Sequence, residues 1–309
     1  MLNAMSSSPR STLAVVIVCY NSADVLVGLL DSLAEGLKGI DPYEVIIVDN
    51  NSSDDCVDVA RRHPVVTGVI ETGCNGGYSA AINAAAATIA DNADLLILNP
   101  DIRLSPGSMI SLRAALSKSR RPGIAVPQLL DQEGHVSRSI RREPSIIGAW
   151  SEALIGGRWA ARLGLGETVW NDALYQNGGA IEWASGAILM ISSKARARIG
   201  DWDESFFLYS EEVDYFRRAR TADLDVVYVP ASKAVHIGGD YHSSHFLSNL
   251  MMANRIRYYR RHHGRIATLL FRIGLIAGQC LRAAMRRPRP SALPAALGIW
   301  HNWPRRPAQ

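Results

Sequence analysis

Apolar runs alternate with stretches of helical periodicity through the first 130 residues of the chain. The runs at 13–20, 43–49, 65–72, 94–99 and 123–127 are rich in Val, Ile and Leu, as expected for buried strands. Between the first two runs, leucines recur at the spacing of one helix face: Leu26, Leu29, Leu30, Leu33 and Leu37. Strands that alternate with helices in this way predict an α/β fold with a doubly wound, mostly parallel sheet.

The pattern weakens after residue 130 and then returns. Gly, Arg and Trp are frequent in 131–179, which is typical of loops and short helices over the ligand edge of a sheet. Strand-like runs at 181–192 and 224–230 then flank a predicted helix at 211–220. We expect a catalytic domain over residues 1–240 and a basic helical extension over residues 241–309.

Polar side chains follow several of the predicted strands. Asp49, Asp101 and His236 each come at or just after the end of an apolar run. Open α/β sheets bind ligands at the carboxyl ends of their strands, so these side chains are candidates for one site. Tyr20 and Asn21 follow the first run, and we expect them to lie beside Asp49.

Asp49 begins a polar segment that has two interpretations. Its carboxylate could accept the N3–H of a pyrimidine base, while the polar residues after it, among them Asn51, hold the ribose. Alternatively, residues 49–54 form only a polar turn that caps the next helix. Both interpretations fit the local sequence.

A glycine turn opens the next predicted helix. The amides of Asn75-Gly76-Gly77 and the helix dipole could face a phosphate or a ribose, and Asn75, Gly77 and Asn83 are predicted donor-binding residues. The alternative is an ordinary turn between a strand and a helix. The segment is neither GxGxxG nor a Walker loop, so neither a dinucleotide nor ATP is indicated.

The segment Asn99-Pro100-Asp101 follows a buried run. A carboxylate there suits Mg²⁺ or Mn²⁺, which also bridges diphosphate oxygens, and Asn99 is a predicted donor-binding residue. His236 is the predicted second metal ligand, although a single histidine is more often structural. The alternative role of Asp101 is a helix cap, but Ser105 is better placed for that.

Three acids, Glu211, Glu212 and Asp214, crowd the start of a predicted helix behind the apolar residues FFLY. Partial burial raises the pKa of a carboxyl group and makes it a better general base, a role we predict for Glu212. Glu211, Asp214 and Trp183 are predicted to contact the acceptor. Alternatively, the acids are surface groups that favour the helix dipole, and the tryptophan belongs to the core.

The ordered segments Tyr20-Asn21, VDNNSSD, NGGYSAAIN, LNPD, WASGA, FFLYSEEVDYFRRAR and VHIGG resemble the family-2 inverting glycosyltransferases of GT-A fold, from about residue 13 to residue 264. The likeness is greatest to their bacterial rhamnosyltransferase-like branch. It implies base recognition by Asp49, metal–diphosphate binding by Asp101 with His236, and a catalytic base at Glu212. The usual Asp-x-Asp reads Asn99-Pro100-Asp101 here, and a Glu stands where the base is often Asp.

This resemblance also implies substrates. The expected donor is dTDP-rhamnose, and the expected acceptor is a polyprenyl-diphosphate-linked sugar at the cytoplasmic face of the membrane. UDP-galactofuranose and UDP-N-acetylhexosamine are alternative donors. A weakly active sugar-nucleotide-binding or scaffold protein is an alternative of another class, prompted by the single carboxylate in the metal motif.

Charge is distributed unevenly along the chain. Of the 33 Lys and Arg residues, twelve are arginines in 241–309, a segment without Asp, Glu or Lys, so the first 240 residues carry 21 basic against 29 acidic residues. Such a tail suggests an anionic membrane surface as partner, whereas nucleic acid is disfavoured because no binding module is present. The four cysteines lack metal-type spacing and suggest reduced thiols in the cytoplasm.

The extension contains a helical pattern from residue 265. Its polar residues project into an arc of about 100°: Arg265, Thr268, Arg272, Gln279, Arg282 and Arg286. The stretch Ile273–Leu281, which starts after Arg272, is shorter than the ~20 residues that span a bilayer. We therefore expect an amphipathic helix in the membrane plane that holds the enzyme peripherally on the inner face. The alternative is a helix packed on the catalytic domain with its arginines in solvent.

Overall fold

The computed structural model describes residues 12–238, 244–285 and 291–304. Its strands are β1 Leu13–Cys19, β2 Tyr43–Asp49, β3 Gly68–Glu71, β4 Asp94–Leu98, β5 Ile102–Leu104, β6 Ile124–Leu130, β7 Ile140–Arg141, β8 Gly179–Ala180, β9 Trp183–Ala184, β10 Ile188–Ile191 and β11 Val226–His236. Its α-helices are α1 Ala23–Gly36, α2 Cys56–Arg62, α3 Tyr78–Ala86, α4 Ser108–Lys118, α5 Ile146–Leu154, α6 Gly157–Arg162, α7 Asp172–Asn177, α8 Ser193–Ile199, α9 Glu211–Thr221, α10 His245–His262, α11 Arg265–Ala284 and α12 Leu293–Leu297.

The main sheet has the order β3-β2-β1-β4-β10-β6-β11-β5, and β8 pairs with β11. Strands β1 to β4 are parallel to one another, with Cys19 opposite Asp49 and Ile17 opposite Leu98. The carboxyl ends of β1, β2 and β4 therefore meet at one edge, where the predicted donor-binding residues follow them.

Helices cover both faces of this sheet because alternate strand residues are apolar on both sides. Val16 lies in a core with Ile82 of α3 and Phe216 of α9, and its neighbour Ile17 lies in a second core with Leu30 of α1. The predicted doubly wound α/β architecture is confirmed.

Two local expectations differ from the structure. Strand β10 is antiparallel and lies between β4 and β6, which neighbouring positions in the sequence do not reveal. Ser105 is not the cap of α4, which starts after Gly107 in the left-handed conformation at φ 64°. Gly107 reverses the chain there at little conformational cost.

Helix α10 packs on the catalytic unit. Tyr258 is fully buried with Phe206 and Val213, and Arg255 forms an ion pair with Glu167 on the body of the protein. Contacts therefore cross the predicted boundary between domain and extension, and the boundary itself stays a prediction. Gly239 and Arg286, which belong to motifs discussed above, lie outside the described residues.

Helix α11 runs unbroken through Arg272 for 20 residues. By length and composition it could cross a membrane, with a mean hydropathy of 1.4 over 18 residues of which 28% are buried. The expectation that its apolar part is too short to span stays a prediction, because this criterion concerns length and composition alone. The test concerns only the part of the chain described above.

Candidate active site

Asp49 is buried at the carboxyl end of β2. One carboxylate oxygen accepts a hydrogen bond from the amide of Ser52 at 3.0 Å. The other, Oδ1, is buried and has no hydrogen-bond partner among the described residues. A buried acceptor without a partner is costly, so this oxygen is suited to an N–H donor supplied by a ligand.

Asn21 joins the loops that follow β1 and β2. Its side-chain oxygen accepts a hydrogen bond from the backbone N–H of Ser53 at 2.8 Å, and its backbone N–H donates to Ser52 Oγ at 2.9 Å. Asn51 in the second loop is exposed and left-handed, at φ 66°. The side chain of Tyr20 is 52% exposed. The structure thus places the Tyr20-Asn21 pair beside the loop of Asp49, as expected.

The glycine turn before α3 uses its amides inside the protein. The backbone N–H of Gly77 donates to Asn75 Oδ1 at 3.1 Å, and the backbone N–H of Tyr78 donates to the carbonyl of Phe207 at 2.7 Å. A Cβ on Gly77 would lie 2.3 Å from that same carbonyl oxygen, and Gly77 has φ 91°. The turn therefore holds α3 against the loop before α9, and the donor-binding roles of Asn75 and Gly77 stay predictions.

Asn83 on α3 is also occupied. Its amide nitrogen donates to the carbonyl of Trp202 at 2.9 Å and to Glu204 at 3.0 Å, and its oxygen accepts from the amide of Trp202 at 2.9 Å. These bonds engage both polar atoms of the side chain. Asn83 joins α3 to the chain before α9, and its assignment as a donor-binding residue stays a prediction.

Asp101 and His236 come together because β5 pairs antiparallel with the end of β11, with His236 opposite Ile102. His236 Nε2 lies 3.1 Å from Asp101 Oδ2, and both side chains are about one-fifth exposed. The other carboxylate oxygen of Asp101 is buried without a partner among the described residues. The two predicted metal ligands are thus adjacent at the ligand edge.

This pair fits a divalent cation that its ligand also helps to hold. One carboxylate and one imidazole form too small a set to fix a cation alone, and the described residues contain no cluster of three or more His, Cys, Asp or Glu ligands. Mg²⁺ and Mn²⁺ commonly complete their coordination with phosphate oxygens and water. The unpartnered oxygen of Asp101 suits such an ion.

Asn99 does not face that pair. Its side-chain oxygen accepts a hydrogen bond from the hydroxyl of Tyr78 at 2.8 Å. The same hydroxyl lies 3.3 Å from the carbonyl of Gly186. Burial, and then the negative charges of Glu211 and Glu212, raise the pKa of Tyr78, so its phenol stays neutral and donates.

Tyr78 is the central residue that sequence reasoning missed. It touches both sides of the site, although only the glycines before it drew attention as a motif. The available signal was its position directly after the glycine pair, at the first residue of a helix that starts at the ligand edge.

The loop before α9 is strained. Phe207, Tyr209 and Ser210 adopt left-handed conformations at φ 65°, 69° and 71°. Such backbone costs of order 1–3 kcal/mol per residue and persists only where surrounding contacts enforce it. It delivers Glu211 and Glu212 at the first turn of α9, where the amide ends of a helix favour negative charge.

Helix α10 supplies the enforcing contacts. The buried amide of Asn254 donates to the carbonyls of Phe206 and Leu208, at 2.6 and 2.7 Å. Nearby, Arg261 forms an ion pair with Asp203. The conformation of the loop thus depends on a helix almost fifty residues further along the chain.

The two glutamates differ in their electrostatics. Burial raises the pKa of Glu212 to about 7, although helix-start amides and the charge of Arg141 oppose the rise. Burial and the charge of Glu212 raise the pKa of Glu211 well above its usual range. Glu211 therefore holds its proton more strongly than an exposed carboxyl group, whereas Glu212 titrates near neutral pH.

Glu212 also faces the site. A Cβ on Gly186 would lie 3.5 Å from Glu212 Cβ, so the side chain passes close to the segment between β9 and β10. One of its carboxylate oxygens is buried without a hydrogen-bond partner in the described structure. A carboxylate with a pKa near neutrality and a free oxygen is equipped to take a proton.

Asp214 points elsewhere. It is 4% exposed, accepts from Arg218 Nε at 2.8 Å and lies 3.6 Å from His262 Nε2. These contacts place it between α9 and α10, and its assignment as an acceptor-binding residue stays a prediction. Trp183 donates from Nε1 to the carbonyl of Arg142 at 2.7 Å and packs against a core cluster. The acceptor roles of Trp183 and Glu211 stay predictions.

Known proteins resemble this chain in sequence and in fold. Residues 14–155 match the family model described as "Glycosyl transferase family 2". The N-acetylglucosaminyl-diphospho-decaprenol L-rhamnosyltransferase of Mycobacterium tuberculosis is 31% identical over 240 residues, which cover 72% of this chain and 75% of that protein.

Two solved structures share the fold. The mannosyltransferase PcManGT from Pyrobaculum calidifontis, in complex with GDP-Man and Mn²⁺, superposes with a TM-score of 0.57 at 16% identity, covering 95% of this chain and 79% of that one. GalNAc-T7 with UDP, GalNAc and Mn²⁺ superposes with a TM-score of 0.55 at 16% identity, covering 81% and 47%. The expected GT-A fold is thereby confirmed.

Proposed function

We propose that this chain, a glycosyltransferase that belongs to glycosyl transferase family 2, moves L-rhamnose from a nucleoside diphosphate to an acceptor. The acceptor is a sugar linked to a polyprenyl diphosphate. The observation that carries this proposal is the 31% identity to an enzyme whose name states both the sugar and the lipid-linked acceptor. The alignment covers 75% of that enzyme.

The donor is proposed to be dTDP-rhamnose. The buried, unpartnered Oδ1 of Asp49 is suited to the N3–H of thymine, and uracil offers the same donor. The base contact therefore favours a pyrimidine nucleotide, and the sugar is inferred from the relative. Asn51 and Tyr20 lie at the edge beside Asp49, within reach of the ribose.

The reaction is proposed to be a single displacement with inversion at the anomeric carbon. Glu212 takes the proton of the acceptor hydroxyl as its oxygen bonds to the anomeric carbon. The bond from that carbon to the diphosphate oxygen breaks, and its electron pair leaves with the diphosphate. A base with a pKa of about 7 is matched to this task near neutral pH.

A divalent cation, Mg²⁺ or Mn²⁺, would be held by Asp101 and His236. When bound, it neutralises charge on the diphosphate. The unpartnered oxygen of Asp101 and the imidazole of His236 would supply the protein ligands. The hydroxyl of Tyr78 donates to the side-chain oxygen of Asn99, and we assign Asn99 to the wall of the donor site.

The acceptor is proposed to meet the enzyme at the cytoplasmic face of a membrane, with no role for nucleic acid. The polyprenyl chain stays in the bilayer while its sugar reaches Glu212. Trp183, beside the Gly186 segment, offers an indole face to that sugar.

Transfer assays with a panel of sugar nucleotides test the proposal. Synthetic polyprenyl-diphosphate-N-acetylglucosamine is incubated with dTDP-, UDP- and GDP-sugars, and products are analysed by mass spectrometry and by NMR of the anomeric proton. We expect transfer from dTDP-rhamnose, with inversion, that stops in EDTA and resumes with Mn²⁺ or Mg²⁺. Transfer from a UDP-sugar alone would change the donor, and nucleotide binding without any transfer would indicate a scaffold.

A further inference from the structure

The solvent face of α11 is apolar. Ile266, Leu269, Leu270, Ile273 and Leu281 are all exposed, from 39% at Leu281 to 78% at Ile266. Their spacing of three, four and eight residues keeps them on one side of a helix. We call these five residues the outer face of α11.

The opposite side of α11 packs on the protein. Gly274 and Gly278, one helical turn apart, approach Ala149 and Ala153 of α5, where an added Cβ would lie 3.2–3.3 Å from theirs. Trp150 Nε1 donates to the carbonyl of Leu270 at 3.1 Å. Small residues on both helices give this close approach, which fixes the orientation of α11.

The predicted polar arc is turned partly inward. Thr268 is buried and bonds to the carbonyl of Gly264 at 3.0 Å, and Arg272 Nε donates to the carbonyl of Ala296 at 2.6 Å. The expectation that these side chains meet water or lipid headgroups is therefore corrected. Polar groups face protein and leucines face solvent, the reverse of a surface helix in a soluble domain.

The surroundings of the outer face are basic. Helices α10 and α11 contain seven arginines and no Asp, Glu or Lys. Arg265 begins α11 and is exposed, at one end of the outer face. Arg255 and Arg261 are paired with acids of the body, so electrostatic attachment is weaker than the sequence count suggests.

We propose that the outer face of α11 inserts, parallel to the membrane plane, into the headgroup region of a bilayer that contains anionic lipids. The apolar side chains enter the boundary of the acyl chains, and Arg265 at the start of the helix meets lipid phosphates. A spanning orientation is disfavoured because it would strip Gly274 and Gly278 from α5.

A second copy of the chain is the competing occupant. A two-fold contact through the same face would bring this acid-free surface against itself, arginine toward arginine. Like charges across an interface oppose association, whereas anionic lipid headgroups complement them. The charge around the outer face therefore favours the bilayer.

This inference goes beyond the proposed function and does not depend on which sugar is moved. Vesicle binding is measured without donor or acceptor, so its failure is separate from a failure of rhamnosyl transfer. The full-length double variant Leu269→Gln/Ile273→Gln removes two exposed side chains, and Ile110→Gln on α4, 46% exposed, is the matched control.

The proteins are sedimented with vesicles of phosphatidylglycerol and phosphatidylcholine, and with phosphatidylcholine alone, at low and high salt. We expect the unmodified protein and Ile110→Gln to bind the anionic vesicles. Partitioning of the double variant should fall by about 10- to 100-fold, since insertion scales with buried apolar area. Circular dichroism and thermal melting confirm that all three proteins are folded.

Three results would overturn the proposal. The first is equal partitioning of the double variant and the unmodified protein. The second is binding that high salt abolishes while the double substitution leaves it unchanged, because attachment is then electrostatic only. The third is a dimer of the unmodified protein, seen by analytical ultracentrifugation, that the double variant converts to a monomer.

Discussion

The ligand edge of the sheet and the outer face of α11 are mismatched with their surroundings in opposite ways. At the edge, Asp49, Asp101 and Glu212 each bury a carboxylate oxygen that has no partner among the described residues. On α11, leucines and isoleucines stand in solvent. Both arrangements cost free energy, the first through lost hydrogen bonds and the second through hydration of apolar surface.

The comparison shows that the kind of mismatch indicates the kind of ligand. Buried acceptors without donors suit a polar ligand with N–H groups, a cation or a transferable proton. Exposed apolar side chains suit a medium that excludes water. The substitutions below each remove one of the unpartnered carboxylates at the ligand edge. Each measurement asks whether only the binding or transfer step assigned to that carboxylate is lost.

The largest effect is expected for Glu212→Gln. Turnover should fall by ~10²–10⁴ because a general base contributes that much, while the dissociation constant of the donor stays nearly unchanged. Steady-state kinetics and donor titration measure both, with Glu133→Gln, in an exposed turn, as control. Near-normal turnover in Glu212→Gln together with an inactive Glu211→Gln would move the base to Glu211.

The next effect concerns the cation. Asp101→Ala should abolish Mn²⁺-dependent donor binding, and His236→Ala should weaken it less, by about 10–100-fold. Calorimetric titration with and without EDTA measures this, with the exposed Asp91→Ala as control. Full transferase activity in EDTA with no bound metal would show that the pair is not a metal site.

Asp49→Ala should weaken binding of free dTDP and UDP and leave metal uptake unchanged. Loss of one charge-assisted hydrogen bond costs ~1.5–3 kcal/mol, which is about 10- to 150-fold in affinity. The exposed Asp58→Ala is the control in the same titration. Equal affinity of the unmodified protein for GDP and dTDP would remove the basis for pyrimidine recognition.

The smallest effect is on stability. In the folded protein the pKa of Glu212 is about 7, above its usual value of 4.5, so the native state keeps a proton that the unfolded state has lost. The free energy of unfolding contributed by this group therefore decreases as pH rises from about 4.5 to 7. Glu212→Gln should melt about 2–4 °C higher than the unmodified protein at pH 8, and the gain should shrink at pH 5.

Calorimetry at both pH values measures this difference. A pH-independent gain would mean that shape, and not charge, limits stability at Glu212. The double substitution on α11 serves as a comparison, because an apolar mismatch carries no titrating group and its effect on melting should not vary with pH.

Local sequence predicts the groups whose position depends on one element. Asp49 and Asp101 follow parallel strands, and Glu212 starts a helix after an apolar run, so pattern alone places them at the ligand edge. The antiparallel β10, which supplies the Gly186 wall, has no such local signal. Nothing in its four residues states which neighbours it will have.

Groups whose partners are distant in sequence could not be predicted. Asn83 bonds to Trp202, 119 residues away, and Gly77 meets the carbonyl of Phe207. Helical periodicity correctly separates the two sides of α11, but only packing on α5 decides which side is covered. These outcomes depend on tertiary contacts that the periodicity of a single helix does not contain.

Helix α10 connects the two regions. Its residue Asn254 is hydrogen-bonded to the loop before Glu212, and the helix ends at residue 262, two residues before Gly264, the N-cap of α11. At 1.5 Å per residue, the eight steps from Asn254 amount to about 12 Å of rigid rod. With α11 docked as proposed, α10 would fix the distance between the lipid surface and Glu212. We therefore expect the enzyme to select lipid-linked acceptors by the length of their glycan as well as by its chemical structure.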